Sequence, residues 1–93
     1  MHKCVEICVN CVLSEAKAVR QELEQYARTL GLEGMMRCKE DGVCDIIIAG
    51  AKDHIDMFIE RIAQYVHENR VREFEVEAAF KDRDYRGVFR SIE

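Results

Sequence analysis

Apolar and polar residues follow two different rhythms along this chain, and the rhythms take turns. From Cys4 to Val9 the period is two, with Val5, Ile7 and Val9 on one side and Cys4, Glu6 and Cys8 on the other. Successive side chains of a strand point to opposite faces, so this segment predicts a strand packed on one face. The period then becomes helical. Ala16, Val19, Leu23, Tyr26, Ala27 and Leu30 recur three or four residues apart, which predicts an amphipathic helix over residues 14–30. Ser14 is placed to cap this helix, Glu15 suits its positive dipole end, and Gly31 is placed to close it.

Gly34–Lys39 and Val43–Ala49 predict two more strands joined through Glu40-Asp41-Gly42, because Asp-Gly between apolar runs favours a tight hairpin. The unbroken Ile46-Ile47-Ile48 predicts a central strand covered at least partly on both faces, with its end expected at Gly50. Ile55, Phe58, Ile59, Ile62, Tyr65 and Val66 then mark one stripe of a second helix over about residues 52–68. Phe74, Val76, Ala78 and Phe80 alternate with Glu73, Glu75 and Glu77, which predicts a strand whose glutamates face water. Lys81-Asp82-Arg83-Asp84 reads as a polar turn and Val88–Ile92 as a short closing strand.

Two helices with one apolar stripe each must bury those stripes on the sheet. Right-handed crossovers then give an α+β, ferredoxin-like βαββαβ sandwich, with two helices on one face of a mainly antiparallel sheet. No linker, repeat or low-complexity segment interrupts the chain, so residues 1–93 are expected to form a single domain.

Composition narrows the function classes. With 48% hydrophobic and 34% charged residues the chain is globular, and no apolar run approaches the roughly 20 residues of a membrane span. Met1-His2-Lys3 leads into an apolar stretch already interrupted by Glu6 and Asn10, so no signal peptide is expected and the location is read as cytoplasmic. A net charge of −4 supplies no general attraction to nucleic acid or to a membrane surface. Lys81, Arg83 and Arg86 are interleaved with Asp82 and Asp84, and no aromatic stacking pattern accompanies them. Neither nucleic acid nor membrane is therefore an expected partner.

Five cysteines without export features predict reduced thiols. Cys8-Val9-Asn10-Cys11 is a CxxC, yet positions three apart on a strand point to opposite faces, and no second CxxC or spaced histidine completes a zinc site. No metal is expected. Cys4, Cys8 and Cys44 are expected to be small buried apolar residues, and Met35-Met36 to fill the core or an edge.

Arg20 is the leading candidate for chemistry. It lies at the rim of the first helix's apolar arc, in the turns where a guanidinium can meet an anion at the helix N-terminus. The plainer alternative is a surface arginine paired with Glu24.

A set of segments in fixed order adds to this. Val19-Arg20 is followed by Leu30-Gly31-Leu32-Glu33-Gly34-Met35-Met36-Arg37-Cys38, then Asp41-Gly42, Ile48-Ala49-Gly50, Phe58, and Gly87-Val88-Phe89-Arg90-Ser91-Ile92. Over essentially the whole chain this order resembles an acylphosphatase, with Val19-Arg20 where that family has F-R. In that family, loop amides and the arginine hold the phosphoryl group of an acyl phosphate, and an asparagine orients the attacking water. The resemblance implies a phosphate-binding segment made of Ser14, Glu15, Ala16, Lys17, Ala18, Val19 and Arg20. It also implies catalytic positions at Arg20 and Cys38, and a small anionic ligand such as phosphate or an acyl phosphate. No cofactor is implied.

The chain departs from the pattern where the chemistry is done. Val12-Leu13-Ser14-Glu15-Ala16-Lys17-Ala18 has no glycine, although a tight phosphate cradle generally needs one. Glu15 adds a negative charge near the expected phosphate. Cys38 stands at the asparagine position, and a thiol is a weak hydrogen-bond partner for water. The reading is an acylphosphatase-like domain with impaired or lost catalysis, acting as a small-anion-binding or interaction module, with a protein partner left open. Three alternatives stand beside it: a working acylphosphatase in which another group such as Asn10 orients water, a reactive Cys38 activated by Arg20, and a regulatory domain that pairs sheets into a dimer.

Overall fold

The computed structural model describes residues 2–79 and 87–92. It contains β1 (His2–Cys11), a turn of 3-10 helix (Leu13–Glu15), α1 (Ala16–Thr29), β2 (Glu33–Cys38) and β3 (Val43–Ala51). These are followed by α2 (Lys52–His67), β4 (Val71–Ala78) and β5 (Phe89–Ile92). The five strands form one sheet in the order β4-β1-β3-β2-β5. Every pairing is antiparallel except β2 with β5, which is parallel. The expected βαββαβ sandwich is therefore present, with β5 added outside β2.

The core is what the two rhythms require. Val19, Leu23 and Ala27 of α1 and Ile55, Phe58, Ile62 and Tyr65 of α2 are buried. They share one cluster with Val5, Ile7, Val9, Met36, Cys44, Ile46 and Ile48 of the sheet. Phe58, fully buried, lies stacked beside Tyr26 with ring centroids 6.4 Å apart, which joins the two helices above the sheet. Met36 enters this core while Met35 is half-buried on the other face.

Several boundaries move. Helix α1 does not begin at Ser14: a 3-10 turn holds residues 13–15, Glu15 takes the cap position, and no side chain caps the helix. At its other end, Gly31 N–H donates to the Arg28 carbonyl at 3.0 Å and Leu32 N–H to that of Ala27 at 2.9 Å, a Schellman closure. Strand β3 does not stop at Gly50 but runs on to Ala51, pairing with His2 of β1. Gly50 is small for packing: a Cβ there would stand 2.7 Å from Cδ2 of Leu32. Phe80 and the expected turn at Lys81–Asp84 lie outside the described residues.

The β2–β3 hairpin turns through Glu40-Asp41-Gly42, as the sequence predicts. Gly42 N–H donates to the Lys39 carbonyl at 3.1 Å, Lys39 N–H donates to the Val43 carbonyl at 2.8 Å, and only Gly42 has positive φ, at 89°. That is a three-residue loop closed by a glycine bulge. Asp41 accepts the Val43 N–H at 3.0 Å.

Candidate functional site

The segment between β1 and α1 is fixed by backbone bonds before any side chain acts. Cys11 N–H donates to the Gly42 carbonyl at 2.9 Å, Val12 N–H to that of Arg70 at 3.0 Å, and Glu15 N–H to that of Val12 at 2.8 Å. This brings the start of α1 beside the tip of the β2–β3 hairpin. Between them is a concavity of about 440 Å³ lined by Ala16, Lys17 and Arg20 from α1 and by Cys38, Lys39 and Glu40 from the hairpin.

The lining carries three cations against one carboxylate. Arg20 is half-buried, Lys17 and Lys39 are exposed, and Glu40 is the sole acid. A planar guanidinium can grip an anion with two parallel donors, while each lysine contributes a point charge. Glu24, the alternative partner considered for Arg20, accepts a hydrogen bond from Arg28 at 3.4 Å.

Three of the seven segment residues read from sequence line this concavity: Ala16, Lys17 and Arg20. Val19 is fully buried in the core, and Ser14, Glu15 and Ala18 do not line it. The Glu15 carboxylate accepts from Arg70 Nε at 2.6 Å, so a cation offsets the charge that the sequence placed near the expected phosphate. Lys39 and Glu40 escaped sequence reasoning. Their signal was adjacency, since both follow Cys38 at the hairpin mouth.

Cys38 does line the concavity, but as half of a disulfide with Cys44. This corrects the expectation of five reduced thiols, and it removes Cys38 as a free nucleophile in this state. The cause is register: Cys38 and Cys44 are direct partners across β2 and β3, with Cα atoms 4.0 Å apart. Counting cysteines and looking for an export signal cannot see a hairpin partner.

Cys4, Cys8 and Cys11 are in no disulfide, and the expectation that Cys4, Cys8 and Cys44 are buried holds only in part. Cys44 is buried, but Cys4 is half-buried, Cys8 is exposed, and the buried member of the CxxC is Cys11. Loss of hydration raises the Cys8 thiol above its ordinary 9.0, and the neighbouring Asp45 charge adds to that. Burial alone raises Cys11. Both thiols are held protonated near neutral pH. Asn10 pairs with Val43 and Glu73 and falls with Glu6 and Cys8 on the open sheet face. Arg20 belongs to the helix side, so Asn10 does not meet it.

No curated protein sequence matches the chain. The acylphosphatase family model matches residues 18–90. The chain belongs to the acylphosphatase family. The matched span takes in Arg20 and Cys38 but leaves out the glycine-free residues 12–17.

The fold agrees with that of solved acylphosphatases. That from Bacillus subtilis superposes with a TM-score of 0.75 at 17% identity, covering 100% of both chains. That from Coxiella burnetii gives 0.75 at 19% identity, covering 98% of this chain and 93% of the other. T. kodakarensis HypF contains a similar unit: 96% of this chain matches 12% of that protein at a TM-score of 0.74 and 19% identity. The acylphosphatase fold thus stands alone in some proteins and within a larger chain in another. Among the described residues no helix is long and apolar enough to cross a membrane.

Proposed function

We propose that this acylphosphatase-family domain binds a small phosphate-type anion between α1 and the β2–β3 hairpin and has lost efficient acyl-phosphate hydrolysis. The observation that carries the proposal is the Cys38–Cys44 disulfide. Family resemblance puts a water-orienting asparagine at position 38, and a disulfide sulfur donates no hydrogen bond. Attack of water on a phosphoryl group depends on positioned donors, and losing one such donor costs orders of magnitude in rate. Binding needs less. Arg20, Lys17 and Lys39 still offer charge and donors to an anion entering the concavity.

Two measurements on the unreduced protein and its Arg20→Ala and Cys38→Asn variants test this. In the first, orthophosphate is titrated by NMR, and Arg20→Ala is expected to weaken binding about tenfold. In the second, benzoyl phosphate hydrolysis by the native protein is expected to be no faster than that by Arg20→Ala. Hydrolysis abolished by Arg20→Ala would establish a working acylphosphatase and overturn the loss of catalysis. Binding unaffected by Arg20→Ala would overturn the site. Activity gained by Cys38→Asn would locate the defect at that position; none gained would place it in the glycine-free segment.

A further inference from the structure

We infer that the Cys38–Cys44 disulfide is a reversible thiol–disulfide switch on the anion pocket, with the oxidised form binding the anion more tightly. The inference rests on the pocket reading given above. Three features of the pair lead to it. Cys38 lines the pocket and is half-buried, whereas Cys44 beneath it is 2% exposed, so the Cys38 half of the pair is the one a reagent in the pocket meets. Cys38 also directly precedes Lys39 and Glu40, both of which line the pocket, so the bond ties that wall to a residue anchored in the core. Finally, the free cysteines have other settings: Cys8 lies on the open sheet face and Cys11 inside the core.

The step is ordinary exchange with a dithiol reductant. Its thiolate attacks the Cys38 sulfur from the pocket side, the bond to Cys44 breaks, and Cys44 leaves as a thiolate that takes a proton. The second thiol of the reductant then attacks the mixed disulfide, closes the reductant's own disulfide, and releases Cys38. Two electrons and two protons pass from the dithiol to the protein. A small-molecule disulfide such as oxidised glutathione reverses the balance.

Two consequences of reduction act in the same direction. The wall bearing Lys39 loses its cross-link, so ordering it around an anion costs more conformational freedom. Freed Cys38 is left among Arg20, Lys17 and Lys39, and neighbouring cations favour a thiolate, against which Glu40 alone works. A thiolate there competes with the incoming anion for the same cations. In the disulfide both sulfurs are uncharged.

The test is orthophosphate titration of the native protein in both redox states, each state verified by its mass. The dissociation constant is expected to rise about fivefold on reduction, the size of one adjacent charge in a partly wet site. Cys38→Ser should give one affinity regardless of redox state. Glutathione buffers of varied ratio should interconvert the two native forms. Equal affinities in both states, with Arg20→Ala still weakening binding, would sink the switch and spare the site. Tighter binding after reduction, or a bond that no glutathione ratio opens, would also sink it. Phosphate binding that ignores Arg20→Ala would remove the site itself, and the switch with it.

Discussion

Arg70 grips Glu22 with both arms of its guanidinium, Nη1 donating to Oε1 at 3.0 Å and Nη2 to Oε2 at 2.5 Å. Its Nε reaches Glu15 at 2.6 Å, and the guanidinium carbon lies 4.7 Å from the centre of the Tyr65 ring. The Tyr65 hydroxyl completes the cluster by donating to Glu22 Oε1 at 3.0 Å. A single side chain, three residues past the end of α2, thus fastens both the start of α1 and its second turn.

Replacing Arg70 with alanine should therefore loosen the wall of the proposed anion pocket as well as the fold. Glu22 is 44% exposed, so solvent screening keeps each ion pair small. Two such pairs and the ring contact together are worth roughly 1–2 kcal/mol, read by urea denaturation. Arg70→Lys should recover less than half, because an ammonium cannot hold two carboxylates at once.

Acid should weaken the same cluster. The hydrogen bond from Arg70 lowers Glu22 below its ordinary 4.5, against an opposing loss of hydration, with Tyr65 adding to the lowering. A depressed folded-state value means stability that is complete above the unfolded value and is lost as pH falls through the folded one. Urea midpoints should be flat from pH 7 to 5 and fall from there toward pH 3. In Glu22→Gln that fall should be shallower; an equally steep fall would show that other carboxylates carry it.

Gly34→Ala should be among the most damaging small substitutions. Gly34 has φ of 142°, and a Cβ on it would lie 1.8 Å from the carbonyl oxygen of Ile47 in the adjoining strand. Backbone cannot swing aside as a side-chain tip can, so β2 must part from β3. A loss of about 3 kcal/mol is expected in the denaturation midpoint, with weakened amide protection along β2.

Thiol counting checks the cysteine chemistry directly. The unreduced chain, denatured, should titrate the three thiols of Cys4, Cys8 and Cys11, and prior reduction should raise this to all five. In the native protein Cys8 should react before Cys11. Asp45→Asn should speed Cys8, since the Asp45 charge and hydrogen bond both hold its proton in place.

Local periodicity made most of the fold legible. Val5, Ile7 and Val9 announced β1, and the stripe from Ile55 to Tyr65 announced α2, because burial on one face leaves a repeat in the chain. Failures came where a residue answers to something distant in sequence. Gly50 looks like punctuation until Leu32 is seen packing over it. Ser14 looks like a cap, but the bonds from Val12 to Arg70 and from Glu15 to Val12 turn the chain into a 3-10 helix first. Of the residues around the concavity, Arg20 was singled out from its place after β1 and Lys17 only through the family resemblance. The tie between Cys38 and Cys44 was not legible, because it depends on the register of a hairpin whose bulge had to be seen to be counted.

The position of β1 in the sheet bears on how the molecule is made. β1 leaves the ribosome before either of its sheet neighbours, β3 and β4, exists. Its partnership with β4 closes only after both helices have been made, an ordering that favours slow folding. Before β3 is made, Val5, Ile7 and Val9 lack both neighbouring strands, and until β4 is made one hydrogen-bonding edge of β1 stays open. An edge left open this long is a route to aggregation that the stability of the finished sheet does not remove.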